Sequence, residues 1–162
     1  MENASSSRSY RVGPEVLTDD LARQMVEEAV ERCSVMFRAR PFAGGQMPVV
    51  MAAGGSGILL HEAIGHAFEA DFNMKGTSVF SDRMGKMVAP QGVNVVDDGT
   101  IPGCRGSVNV DDEGVPGQKT WLVRDGVLNS YLHDRLSARH YGVSPTGHGR
   151  RESFRSYPIP RM

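Results

Sequence analysis

"KTWLVRDGVLNSYL", residues 119–132, places two runs of strand-forming residues on either side of Asp125-Gly126. A two-residue Asp-Gly loop favours positive φ at both positions, and its twist matches that of two antiparallel strands. The stretch therefore predicts a β-hairpin. Working outward, "GKMVAP" (85–90), "GVNVVDDGT" (92–100) and "GSVNVDDEGVPGQ" (106–118) share its texture. Short β-branched runs alternate with Gly, Asp and Pro turns, and no βαβ alternation interrupts them. This half of the chain predicts antiparallel β structure. A short helix is expected around residues 133–141, and "GVSPTGHGRRESFRSYPIPRM" (142–162) reads as loop.

Toward the N-terminus the pattern becomes helical. Thr18 has the chemistry of an N-cap, and Asp19 and Asp20 suit a first helical turn. Leu21, Ala22, Met25, Val26, Ala29, Val30 and Cys33 then recur at helical spacing, predicting an amphipathic helix over 18–34. Residues 1–9 are polar and serine-rich, and disorder is expected there. "RPFAGGQMP" (40–48) is a connector, "PVVMAA" (48–53) a short apolar strand and "GGSG" (54–57) a tight turn. "ILLHEAIGHAFEADF" (58–72) follows as a second helix, with Leu60, Ile64, Phe68 and Phe72 on one face. The expectation is an α+β domain over 10–162: an antiparallel β-rich portion, an N-terminal amphipathic helix and a motif-bearing helix.

Bulk properties narrow the function classes. The formal charge of −1 gives no global field toward nucleic acid or lipid. No recognisable DNA- or RNA-binding signature accompanies Arg150, Arg151, Arg155 and Arg161, which argues against nucleic acid as a partner. No apolar run is long enough to span a membrane, and the start has no apolar signal region. Cys33 and Cys104 fit neither a CxxC pattern nor a disulfide scaffold, so reduced thiols and a cytoplasmic location are expected.

The chemistry concentrates in "LHEAIGH", residues 60–66. In the HExxH zinc-protease pattern two histidines four apart share one helix face and one metal. His61 and His66 are five apart, which on a regular α-helix separates them by roughly 140°. Either a π-type turn or a break near Gly65 would bring them together. Two imidazoles would then supply two of the three protein ligands usual for a catalytic zinc, and Glu62 would be the base for its water. Glu69 and Asp71 are placed to hydrogen-bond the outer imidazole nitrogens. The spacing alone leaves metal binding and a pair of unrelated polar histidines equally open.

The wider pattern is more specific. "MPVVMAAGGSGILLHEAIGHAFEADFNMKGTSVFSD", "VVDDGTIPGCRGSVNVDDEGVPGQ" and "PTGHGRRES" occur in order, and from about Thr18 to Met162 the sequence resembles the TldD branch of the TldD/PmbA metalloprotease family. That family is known for an HExxxH motif. The resemblance implies Zn2+ held by His61 and His66, with Glu62 as catalytic acid/base. It also implies hydrolysis of peptides or unfolded polypeptides, in a dimer or heterodimer with a related TldE/PmbA-type subunit.

Family members are much longer, and their third zinc ligand is a cysteine in a later C-terminal segment that this sequence does not reach. Cys33 and Cys104 lie outside that segment and do not inherit its role, so the site is expected to be incomplete in this chain. His133, His140, His148 and Cys104 are the local candidates for a substitute, with ordinary structural roles favoured for each. The main alternative is a non-catalytic β module that binds peptides or partners along a sheet edge. "GGSG" matches no phosphate-loop pattern. The acidic runs Asp97-Asp98 and Asp111-Asp112-Glu113 lack the alternating oxygens of a calcium loop, and β-turn roles are expected for them.

Overall fold

A computed structural model describes residues 1–162, which fold as two units: residues 1–50 with 103–105, and residues 51–102 with 106–162. The first unit is organised on one helix, α1 (Asp19–Arg38). Thr18 Oγ1 caps it by accepting the Leu21 N–H at 3.1 Å. Asp19 and Asp20 in the first turn and Arg38 in the last complement the helix dipole. The helix runs four residues past the expected end at 34, because no breaker intervenes until Pro41 restricts the residue before it. Residues 1–8 lie beside α1. Ser6 Oγ donates to Glu28 Oε2 at 2.8 Å, Arg8 pairs with Glu28, and Arg32 donates to the Ser5 carbonyl at 2.8 Å. Leu21, Met25, Ala29 and Cys33 form the half-buried stripe. Tyr10 and Cys104 make an isolated antiparallel bridge, next to a hydrogen bond from Arg11 N to Gly103 O.

The strand expected at 48–53 does not form: Val49 is 73% exposed and Val50 97%. β-branched residues favour an extended backbone, but a strand also needs a neighbour for its N–H and C=O groups. No other segment pairs with this one.

In the second unit, β1 (Val95–Asp98), β2 (Lys119–Arg124) and β3 (Val127–Leu128) make an antiparallel sheet in that order. Asp125 (φ 48°) and Gly126 (φ 81°) turn the predicted hairpin, and Arg124 pairs with Val127. Residues 85–89 extend the sheet beside β3 through Leu128 N to Lys86 O (3.0 Å) and Val88 N to Gly126 O (2.8 Å). The acidic runs act as turn formers. Asp111 Oδ1 accepts the N–H groups of Glu113 and Val115, and Asp98 Oδ1 accepts that of Thr100. Leu122 and Val123 of β2 and Leu128 of β3 form one buried core cluster with Phe68, Ala70, Tyr131 and Leu132. Phe68 stacks on Phe80 at 4.4 Å, and the Tyr131 hydroxyl donates to the Phe80 carbonyl at 2.7 Å.

The single helix expected over 58–72 is instead a broken path. It comprises α2 (Ser56–Leu60), a π-helical turn (His61–Gly65), a 3₁₀ turn (His66–Phe68) and α3 (Ala70–Met74). Glu69 breaks it with ψ 127°. There the backbone leaves the helix to bond Leu132: Leu132 N donates to Phe68 O at 2.9 Å, and Ala70 N to Leu132 O at 3.0 Å. α4 (Arg135–Tyr141) is capped by Asp134 Oδ1, which accepts the Ser137 N–H, and ends at left-handed Gly142. The tail, expected as loop, contains a further pair, β4 (Gly149–Arg150) with β5 (Ile159–Pro160).

Candidate metal centre

The π-helical turn shapes the site. His66 N–H donates to the His61 carbonyl five residues back, so the fifth residue returns over the first. The two rings meet edge to face with centroids 4.5 Å apart. One side-chain donor atom from each of His61, Glu62 and His66 lies within 4.8 Å of the others. The histidines are half-buried and Glu62 is exposed, so the cluster faces solvent on one side. Gly65 has ordinary helical angles, φ −58° and ψ −54°. Its contribution is therefore space, since a Cβ there would come within 2.7 Å of Met162 Sδ.

Behind the cluster lies Glu69, a fully buried carboxylate. Its Oε1 meets His66 Nδ1 at 2.9 Å and also accepts the Met162 N–H at 3.3 Å. Its Oε2 is paired with the Arg161 guanidinium. β5 carries Arg161 to this position, and Arg161 N donates to the His148 carbonyl at 2.9 Å. A carboxylate only accepts, so Nδ1 is the donor in this contact, and on a neutral ring the lone pair lies on Nε2. Asp71, the other residue expected behind the histidines, turns instead to Lys75 Nζ at 3.3 Å.

The remaining candidates do not join the cluster. His148 is buried and has both nitrogens engaged, Nε2 with Asp97 Oδ1 at 2.7 Å and Nδ1 with Thr146 Oγ1 at 2.9 Å. It is thus not the far-reaching loop residue that its glycine neighbours suggest. His133 is also buried, with Nδ1 on Ser137 Oγ at 3.2 Å, and burial lowers its pKa to about 4. His140 packs against the Tyr141 ring, and Cys104 belongs to the first unit. Two imidazoles and a carboxylate within one small radius are a donor set suited to a metal ion such as zinc. Arg161 and Met162 are the functional neighbours that sequence reasoning missed. Their only signal was an arginine in a tail otherwise read as loop.

Comparison with known proteins follows the same lines. Residues 44–162 match the model of the PmbA/TldA metallopeptidase C-terminal domain. The chain is 49% identical over 136 residues to a metalloprotease TldD homolog of Buchnera aphidicola, covering 84% of this chain and 28% of that one. It is 48% identical over 149 residues to the metalloprotease TldD homolog of Haemophilus influenzae, covering 91% and 31%. The chain thus spans about a third or less of the length of these relatives. A relative from Saccharolobus solfataricus, 35% identical over 119 residues, is named a zinc metalloprotease TldD homolog; coverage is 73% of this chain and 26% of that one. Among solved structures, TldE from Thermococcus kodakarensis superposes with a TM-score of 0.71 at 24% identity, covering 86% of this chain and 32% of that one. That likeness shows the shared α+β fold. No helix is long and apolar enough to cross a membrane.

Proposed function

The chain belongs to the PmbA/TldA metallopeptidase family, and from that premise we propose that it carries the metal-binding segment of a zinc-dependent peptide hydrolase. The observation that supports this most is the convergence of His61, Glu62 and His66 across a π-helical turn. His61 and His66 would hold the ion as two of the three protein ligands usual for a catalytic zinc. The third ligand is assigned, from the family resemblance, to a cysteine in a further segment, because His133, His140 and His148 of the same unit stand outside the cluster. Zinc bound there would act as a Lewis acid, easing ionisation of water and polarising a peptide carbonyl.

The chain's own part is proton transfer and positioning. Glu62, exposed beside the two imidazoles, accepts the proton of the attacking water and returns it to the departing amine nitrogen. His61 and His66 fix where that water and the carbonyl meet. The substrate class is a peptide or an unfolded polypeptide. The partner we assign is a related TldE-type subunit, a choice supported by family membership and fold likeness. A reducing compartment such as the cytoplasm suits the two free cysteines.

Elemental analysis of tag-free chain beside His61→Ala and His66→Ala tests the reading. Zinc retained by the parent and lost by both variants is expected. Equal zinc in all three overturns His61 and His66 as the ligands, whereas none in any shows that two imidazoles do not hold the ion without the third ligand.

A further inference from the structure

We infer that Arg161 is a positioning residue for the metal centre, acting through Glu69 to keep the His66 proton on Nδ1 and the Nε2 lone pair available to the ion. The inference rests on the proposed metal site and deepens it. Its own content is the three-residue relay Arg161–Glu69–His66, which can be read without any metal.

The geometry leaves Glu69 little choice. Its carboxylate is fully buried, and each oxygen is assigned. Oε2 is paired with the Arg161 guanidinium, while Oε1 takes His66 Nδ1 and the Met162 N–H. A carboxylate only accepts, so the imidazole nitrogen that faces it must carry a hydrogen. The other nitrogen of the neutral ring is then the unprotonated one, the form a metal ligand requires. A buried carboxylate without a counter-charge is costly, and Arg161 is the only cation paired with Glu69. Removing the guanidinium therefore loosens the group that dictates the His66 tautomer.

An amide at position 69 sharpens the argument. A glutamine must turn its NH2 toward either Arg161 or His66. Facing Arg161 it would set donor against donor beside a positive charge. Facing His66 it would make Nδ1 an acceptor and move the ring proton to Nε2, where it blocks a metal.

Arg161 is partly exposed, so its replacement removes little packing. The test compares the full chain with Arg161→Met, Arg161→Lys and Glu69→Gln. The His66 ring nitrogens are read by 15N NMR in the metal-free state, and Co2+ affinity is measured against a competing chelator. The Nδ1–H form is expected for the parent, a mixture for Arg161→Met, and the Nε2–H form for Glu69→Gln. Co2+ affinity should fall roughly 10- to 100-fold in Arg161→Met and Glu69→Gln. Arg161→Lys, which keeps the charge but not the fork, should recover most of it.

Parent-like tautomer and affinity in Arg161→Met overturn the inference. If that variant does not fold, a parent-like tautomer in Glu69→Gln does so. Should the parent bind no Co2+ while the tautomers shift as stated, the two histidines do not hold metal without the third ligand, and the relay stands.

Discussion

Asp97 and His148, from β1 and from the turn before β4, meet through a 2.7 Å contact between Oδ1 and Nε2. The same imidazole reaches Thr146 Oγ1 through its other nitrogen. The Thr146 hydroxyl in turn accepts the His133 N–H at 2.6 Å. This buried network ties the sheet to the tail that carries Arg161. Asp97→Ala leaves His148 Nε2 without its partner and should lower stability by about 1–3 kcal/mol. Urea unfolding reads the change, and an unchanged midpoint would show the contact to be energetically idle.

Glu62 makes no contact that holds the fold, so its replacement separates chemistry from structure. Glu62→Gln should retain zinc and the parent's melting temperature. Peptide turnover, assayed with zinc, the related subunit and the segment that supplies the third ligand all present, should fall by at least about 100-fold. Turnover equal to the parent's would remove Glu62 from the proton transfer.

His133 makes acid a specific destabiliser. Burial is the main cause of its low pKa of about 4, the His148 ring adds to it, and Asp134 opposes both. In the unfolded chain the same group titrates near 6.5, so between 6.5 and 4 the unfolded state takes up the proton that the native state refuses. Stability from this group is complete above about 6.5, is lost as pH falls through that window, and levels off below about 4. The loss is on the order of 3 kcal/mol. Thermal melts of the parent and His133→Gln at a series of pH values should diverge across that window. Parallel curves would contradict the assignment.

Two glycines predict opposite outcomes. Gly126→Ala strains a φ of 81° and drives a Cβ to 2.4 Å from the Ala89 carbonyl oxygen, which is backbone and cannot swing aside. A loss above about 2 kcal/mol is expected. At Gly65 the angles are already helical and the obstacle is the flexible end of Met162. Alanine's helix preference, about 1 kcal/mol over glycine, offsets the displacement, and Gly65→Ala should be near neutral. Denaturant midpoints for both decide the point, and equal losses would refute the distinction.

What could be read from the sequence follows the range of the interactions involved. α1, α4 and the Asp125-Gly126 hairpin are specified by neighbours a few residues away: the Thr18 cap, Gly142 at the end of α4, and two residues suited to positive φ. The π-turn was one of two ways to reconcile His61 with His66. The alternative, a break, also occurs, but at Glu69, where the hydrogen bonds to distant Leu132 require it. Val49 and Val50 had the right propensity for a strand but no partner to pair with. His148 looked like a loop residue because its glycine neighbours are local while Asp97 is not. The contact of Glu69 with His66 was accessible from a spacing of three, whereas Arg161 lies 92 residues away.

That separation has a consequence for how the protein is made. Glu69 leaves the ribosome well before Arg161, and at common elongation rates of about 5–20 residues per second the delay is on the order of 5–20 s. Throughout that interval the carboxylate has no guanidinium to meet, and burying it would be unfavourable. The motif segment therefore stays unsettled until β5 and Arg161 are delivered. Metal should be acquired only after Arg161 has emerged and met Glu69.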